Sequence, residues 1–64
     1  MNTVISNPKI LGGKPVIKGT RIPVSLVLNL LAHNYDVNDV IEAYPSLKKS
    51  DVRAAVQYAA TLAN

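Results

Sequence analysis

The chain has 64 residues, no Cys and one His, which rules out disulfides, thiolate chemistry and a multi-histidine metal site within one chain. Its formal charge is +3 and its acids form no cluster beside a nucleophile, so no enzyme and no cofactor is expected. Hydrophobic residues make up 48% of the sequence, high for a domain small enough to bury only about 60% of its unfolded surface, so a homodimer or an obligate complex is expected.

Met1 to Ser6 lacks the basic start and apolar core of a signal peptide. No run approaches the roughly 18 apolar residues that span a bilayer. A cytoplasmic chain without a membrane partner is the expectation. Thr3-Val4-Ile5 suits a short strand, Asn7-Pro8 is a turn signal, and Lys9-Ile10-Leu11 reads as extended up to Gly12-Gly13.

Gly12 to Val24 is the least generic stretch. Pro15 biases Lys14 toward extended geometry, Val16-Ile17-Lys18 continues as a strand, and Gly19-Thr20 turns the chain. Pro23 has the fixed φ of a first helical turn. Two readings fit: an arm that displays Lys14, Lys18 and Arg21, or a solvated loop whose lysines only confer solubility. A P-loop is excluded, because Lys14 is followed by Pro15 rather than Ser or Thr. Short strands are marginal alone. They need a helix to pack on, or the same strands of a second subunit, with Val4, Ile5, Val16 and Ile17 as the dimerisation residues.

Three helices follow. In 24–34, Leu26, Val27, Leu30 and Leu31 recur at helical spacing, with Val24 and Leu28 widening the stripe. Asn34 suits a left-handed helix end, and His33 suits the last turn without any metal or catalytic role. In 37–44, Asp36 is the N-cap with Asp39 completing a capping box. Val37, Val40, Ile41 and Tyr44 face inward, Asp39 and Glu42 face solvent, and Pro45 ends the helix. In 49–62, Val52, Ala55, Val56, Ala59 and Leu62 or Ala63 face inward. Lys49, Arg53, Gln57 and Thr61 form a row at intervals of four on the other side.

The charge is unevenly spread. Lys9, Lys14, Lys18 and Arg21 come before any acid, three of the four acids lie between Asp36 and Glu42, and Lys48, Lys49 and Arg53 form a second basic cluster. Such a field commonly meets nucleic acid. A short helix, a tight turn and a longer helix fit a helix-turn-helix unit. Lys48 and Lys49 would then meet phosphates, Arg53 guanine and Gln57 adenine, while Lys14, Lys18 and Arg21 add backbone contacts. A plain three-helix bundle serving as a protein-interaction module produces the same spacing. The fold expected from 1–64 is one mainly α domain: a strand-and-turn arm over 1–23 and a three-helix bundle.

Ile10, Gly13, Pro15-Val16-Ile17, Gly19-Thr20-Arg21-Ile22-Pro23-Val24, Tyr44-Pro45-x-Leu47, Asp51-Val52-Arg53-Ala54-Ala55 and Tyr58-Ala59 resemble the bacterial family called domain of unknown function 433, over about residues 3 to 60. The resemblance implies a homeodomain-like helix-turn-helix protein with a strand-rich arm. It further implies an antitoxin similar in role to VapB, with operator DNA and a PIN-like nuclease toxin as partners. This sequence has Asn34 where members often have Gly. It has Lys48 where they often have a Thr or Ser cap, a loss of about 1 kcal/mol that Asp51 offsets in part through the helix dipole. Only Tyr58 to Asn64 follows the motif, where longer antitoxins carry a toxin-wrapping tail.

Overall fold

Val16 and Ile17, the apolar pair of the arm, have no accessible surface. They lie in strand β2 (Pro15–Ile17), which pairs antiparallel with β1 (Val4–Ser6) in the register Val4↔Ile17, Ile5↔Val16, Ser6↔Pro15. The Lys18 N–H extends the ladder to the Thr3 carbonyl at 2.6 Å. Three helices follow: α1 (Val24–Ala32), α2 (Val37–Ala43) and α3 (Lys49–Ala63). This computed structural model describes residues 3–63, with only the backbone of Ala63. Residues 1, 2 and 64 of the expected domain, and the Ala63 side chain assigned to the last apolar face, lie outside the described residues.

The ladder bears on one alternative. Pairing within one chain and pairing with the same strands of a second subunit, through Val4, Ile5, Val16 and Ile17, are both open to the sequence; here these residues pair within one hairpin, and Ile17 belongs to the chain's own core. One correction concerns Lys9 to Leu11, expected to be extended. The Asn7 side chain accepts the Lys9 N–H at 2.9 Å and the Asn7 carbonyl accepts the Ile10 N–H at 2.9 Å, an Asx-type turn. The chain then winds through a 3-10 turn at Leu11–Gly13. Leu11 and Gly12 adopt left-handed φ values of 49° and 66° there. Local hydrogen bonds outcompete an extended segment that has no strand beside it.

The Gly-Thr-Arg-Ile-Pro-Val string owes its form to a turn, not to a solvated loop. Gly19 sits at φ 82°, a conformation that suits glycine. The Thr20 hydroxyl donates to the Ile17 carbonyl at 2.7 Å and accepts the Ile22 N–H at 3.0 Å. The Ile17 N–H donates to the Ile22 carbonyl at 3.0 Å, and Val16 bridges to Pro23. The turn therefore folds back along β2 before α1 begins. Pro23 is the extended N-cap of α1 rather than its first helical residue.

Helix boundaries follow the expected signals. Asn34 has φ 69°, and the Tyr35 N–H reaches the Leu30 carbonyl at 3.1 Å, the longer bond of a Schellman end. The His33 Nδ1 donates to the Asn29 carbonyl at 2.7 Å, closing the helix locally. Asp36 and Asp39 form the reciprocal capping box at 2.8 and 3.0 Å. Leu47 is buried after the Tyr44–Leu47 turn, closed by the Leu47 N–H on the Tyr44 carbonyl at 2.9 Å.

The core is Ile17, Val24, Val27, Val40, Leu47, Val52 and Ala55, with Leu28, Leu30, Leu31, Ile41, Tyr44 and Tyr58 packed around it. Three residues expected inside are outside: Val37 is 36% exposed, Val56 46% and Leu62 69%. Helical spacing gives a face but not the width of what covers it, and no described element lies over Val37 and Val56. Leu62 stands on the rim of a groove that it lines together with Pro15 of β2 and Val24 and Leu28 of α1.

Candidate functional site

Helix α3 carries the charge pattern that the sequence singled out, and its start explains how. Lys48 has no side-chain oxygen with which to cap. The Asp51 carboxylate instead accepts the Lys48 N–H at 2.9 Å, while the Lys48 carbonyl accepts the N–H groups of Asp51 and Val52 at 3.0 and 3.2 Å. This is the acidic half of a capping box. Asp51 thus acts by a direct hydrogen bond as well as through the dipole.

Lys48, Lys49, Arg53 and Gln57 are all exposed, as are Lys14, Lys18 and Arg21 on the arm. They do not form one patch. Lys49 and Arg53 border a groove of about 470 Å³ with Leu31, Val37, Asn38 and Val56. Gln57 instead borders a gap of about 270 Å³ between α3 and β1, with Thr3, Val4 and Thr61. Lys14 borders a third groove, of about 580 Å³, between β2, α1 and the C-terminal half of α3. Lys18 follows β2, and Arg21 stands in the turn before α1. Thr61, the last member of the polar row, turns its hydroxyl back to the Gln57 carbonyl at 3.0 Å.

The groove beside Lys49 and Arg53 has an apolar floor and a basic rim. On the other side of α2, Asp39 and Glu42 line a separate hollow of about 260 Å³ with Tyr35 and Ala43. A basic edge and an acidic edge therefore flank one short helix. Leu31, Val37 and Val56 were read from sequence as core, and their spacing carried no signal that they line a groove. Among the described residues, no three His, Cys, Asp or Glu side chains are grouped to hold a metal ion, and no helix is long and apolar enough to cross a membrane.

Known proteins share this architecture. The family model described as "Protein of unknown function (DUF433)" matches residues 4–59. The chain is 46% identical over 56 residues to the uncharacterized protein y4eO of Sinorhizobium fredii, covering 88% of this chain but 25% of that protein. It superposes with a TM-score of 0.84 on the crystal structure of a DUF433 member from Anabaena variabilis, at 29% identity, covering 91% of this chain and 57% of that one. The chain thus spans a quarter of the curated relative and just over half of the crystallised one.

Proposed function

For a chain that belongs to the DUF433 family, we propose the role of a homodimeric antitoxin that represses its own operon through α3 and neutralises a PIN-like nuclease toxin. One observation carries the DNA-binding part: Lys49, Arg53 and Gln57 stand exposed at four-residue intervals on a 15-residue helix that follows a tight turn. A rigid helix of that kind enters the major groove, where a forked guanidinium reads guanine and an amide reads adenine. Lys48 and Lys49 meet phosphates at the helix start, where backbone N–H groups also favour an anion. The toxin partner rests on the family resemblance, and co-purification of a stoichiometric small protein with clustered Asp residues tests it.

Fluorescence anisotropy with a duplex from the gene's own upstream region tests the reader. Arg53→Ala is expected to weaken binding by about 5- to 150-fold, the effect of losing one bidentate base contact of about 1–3 kcal/mol. Binding is expected to fall steeply with salt, because each neutralised phosphate releases counterions. Unchanged affinity in Arg53→Ala would remove α3 as the reader.

A second reading, a protein-interaction module that binds no specific duplex, draws on the groove itself. Its floor of Leu31, Val37 and Val56 suits apolar side chains, and Asp39 and Glu42 on the neighbouring surface repel phosphates. Equal affinity for operator and scrambled duplex, abolished by moderate salt, would favour it.

A further inference from the structure

One stripe of α3 mixes charge with apolar surface. Lys49, Val52, Arg53 and Val56 follow one another at steps of three, one and three residues, so they share a face of the helix over about two turns, roughly 10 Å. That face is one wall of the groove of about 470 Å³ that Leu31 of α1 and Val37 of α2 complete. Val52 is buried at its base, whereas Val37 is 36% exposed and Val56 46%. A duplex offers phosphates and base edges to the two cations but, thymine methyls aside, nothing apolar to the two valines. The DNA reading leaves the apolar half of this groove unused.

We propose that the groove docks an amphipathic helical segment of a protein partner, with apolar residues on its inner face and Asp or Glu along one edge. The first argument is spacing. A helix lying in a groove presents anchors at i, i+3, i+4 and i+7, the same steps at which α3 builds this wall. The second is charge. Lys49 and Arg53, one turn apart, are the charged residues among those lining the groove, and no acid lines it. Asp39 and Glu42 of α2 open instead on the separate hollow with Tyr35. Carboxylates one turn apart on the partner therefore meet two cations and no like charge, and a basic segment is rejected.

The proposal rests on the second reading above in taking a protein as the partner, and it does not need DNA binding. The DNA reading and the docking share Lys49 and Arg53 and part at Val56, which only an apolar occupant uses.

The test is selection on the full chain from a displayed library of random peptides about 16 residues long, enough to hold a helix in water. The enriched peptides are expected to carry acidic and apolar residues at helical spacing. One of them, labelled with fluorescein, is titrated by anisotropy against the unaltered chain, Val56→Gln and Arg53→Ala. Both positions are exposed, so both variants are expected to fold, which circular dichroism checks. Each is expected to weaken the peptide by about 5-fold or more, the loss of one significant interface contact. Arg53→Ala alone is expected to weaken the upstream duplex, because Val56→Gln removes no cation. No enrichment, or enrichment of Lys- and Arg-rich peptides, overturns the proposal. Acidic peptides that bind both variants as tightly as the unaltered chain also overturn it, and leave the protein-interaction reading standing at another surface. Duplex binding weakened by Val56→Gln as much as by Arg53→Ala puts DNA in the groove and overturns it too. Peptide binding lost in both variants of a chain that binds no duplex supports the docking and sinks the DNA reading.

Discussion

From Pro15 to Val27 the chain looks irregular and yet supplies Val16, Ile17, Val24 and Val27, all 3% exposed or less. From Val37 to Val56 it looks like two regular amphipathic helices and yet leaves both of those valines at the surface. The irregular segment is held by its own hydrogen bonds: Thr20 ties Ile17 to Ile22, and Ile22 ties back to Ile17. The helices satisfy their backbones internally, so their side chains are free to serve the surface. A distinctive motif here marks a structural device, and ordinary helical sequence carries the residues assigned to partners.

The sharpest way to break that contrast is to shorten a side chain in each region. Ile17→Ala is expected to cost about 2–5 kcal/mol, the range for buried aliphatic truncation. That is much of the total for a domain of this size, about 3–10 kcal/mol. Val56→Ala is expected to stay within about 0.5 kcal/mol. Urea unfolding measures both, and equal losses would show that the two regions share the core evenly.

A smaller effect isolates the turn from the packing. A Cβ added at Gly19 meets no atom within 4 Å, and the residue sits at φ 82°. Gly19→Ala is therefore expected to cost about 1–2 kcal/mol through backbone strain alone. A larger loss in the same unfolding assay would mean that the turn also governs how β2 seats. The smallest expected effect has the opposite sign. Lys48→Ser supplies the missing side-chain cap of α3 and is expected to add about 0.5–1 kcal/mol. The same change removes a cation, so the salt slope of duplex binding is expected to fall by about one. A stability gain with an unchanged slope would take Lys48 out of the phosphate contacts.

Much of this fold was legible because its signals are local. Asp36 and Asp39 announce the start of α2, Asn34 the end of α1, and Pro45 the end of α2, each through a hydrogen bond or dihedral set within a few residues. What was not legible depends on distant chain. Strand patterning at Val16-Ile17 cannot say which strand lies alongside, so an interface between subunits and a hairpin read alike. Periodicity placed Val37, Val56 and Leu62 on inward stripes. Whether anything covers them depends on how the three helices are placed against one another, which no motif encodes. The α3 row of Lys49, Arg53 and Gln57 was legible as a surface row, but that Lys14, Gln57 and the Lys49–Arg53 pair border three different grooves was not.

The bridge between Val16 and Pro23 also bears on how the protein behaves when crowded. A two-stranded hairpin presents two raw edges, each an invitation to a passing strand. On the β2 side that edge is already occupied by Ile22 and Pro23, and the proline has no N–H to offer a newcomer. Growth of the sheet from that side is stopped by the residue that also caps α1. Among the described residues, the edge left open is that of the three-residue β1, too short to template a fibril readily. One proline thus launches a helix and keeps the sheet from polymerising.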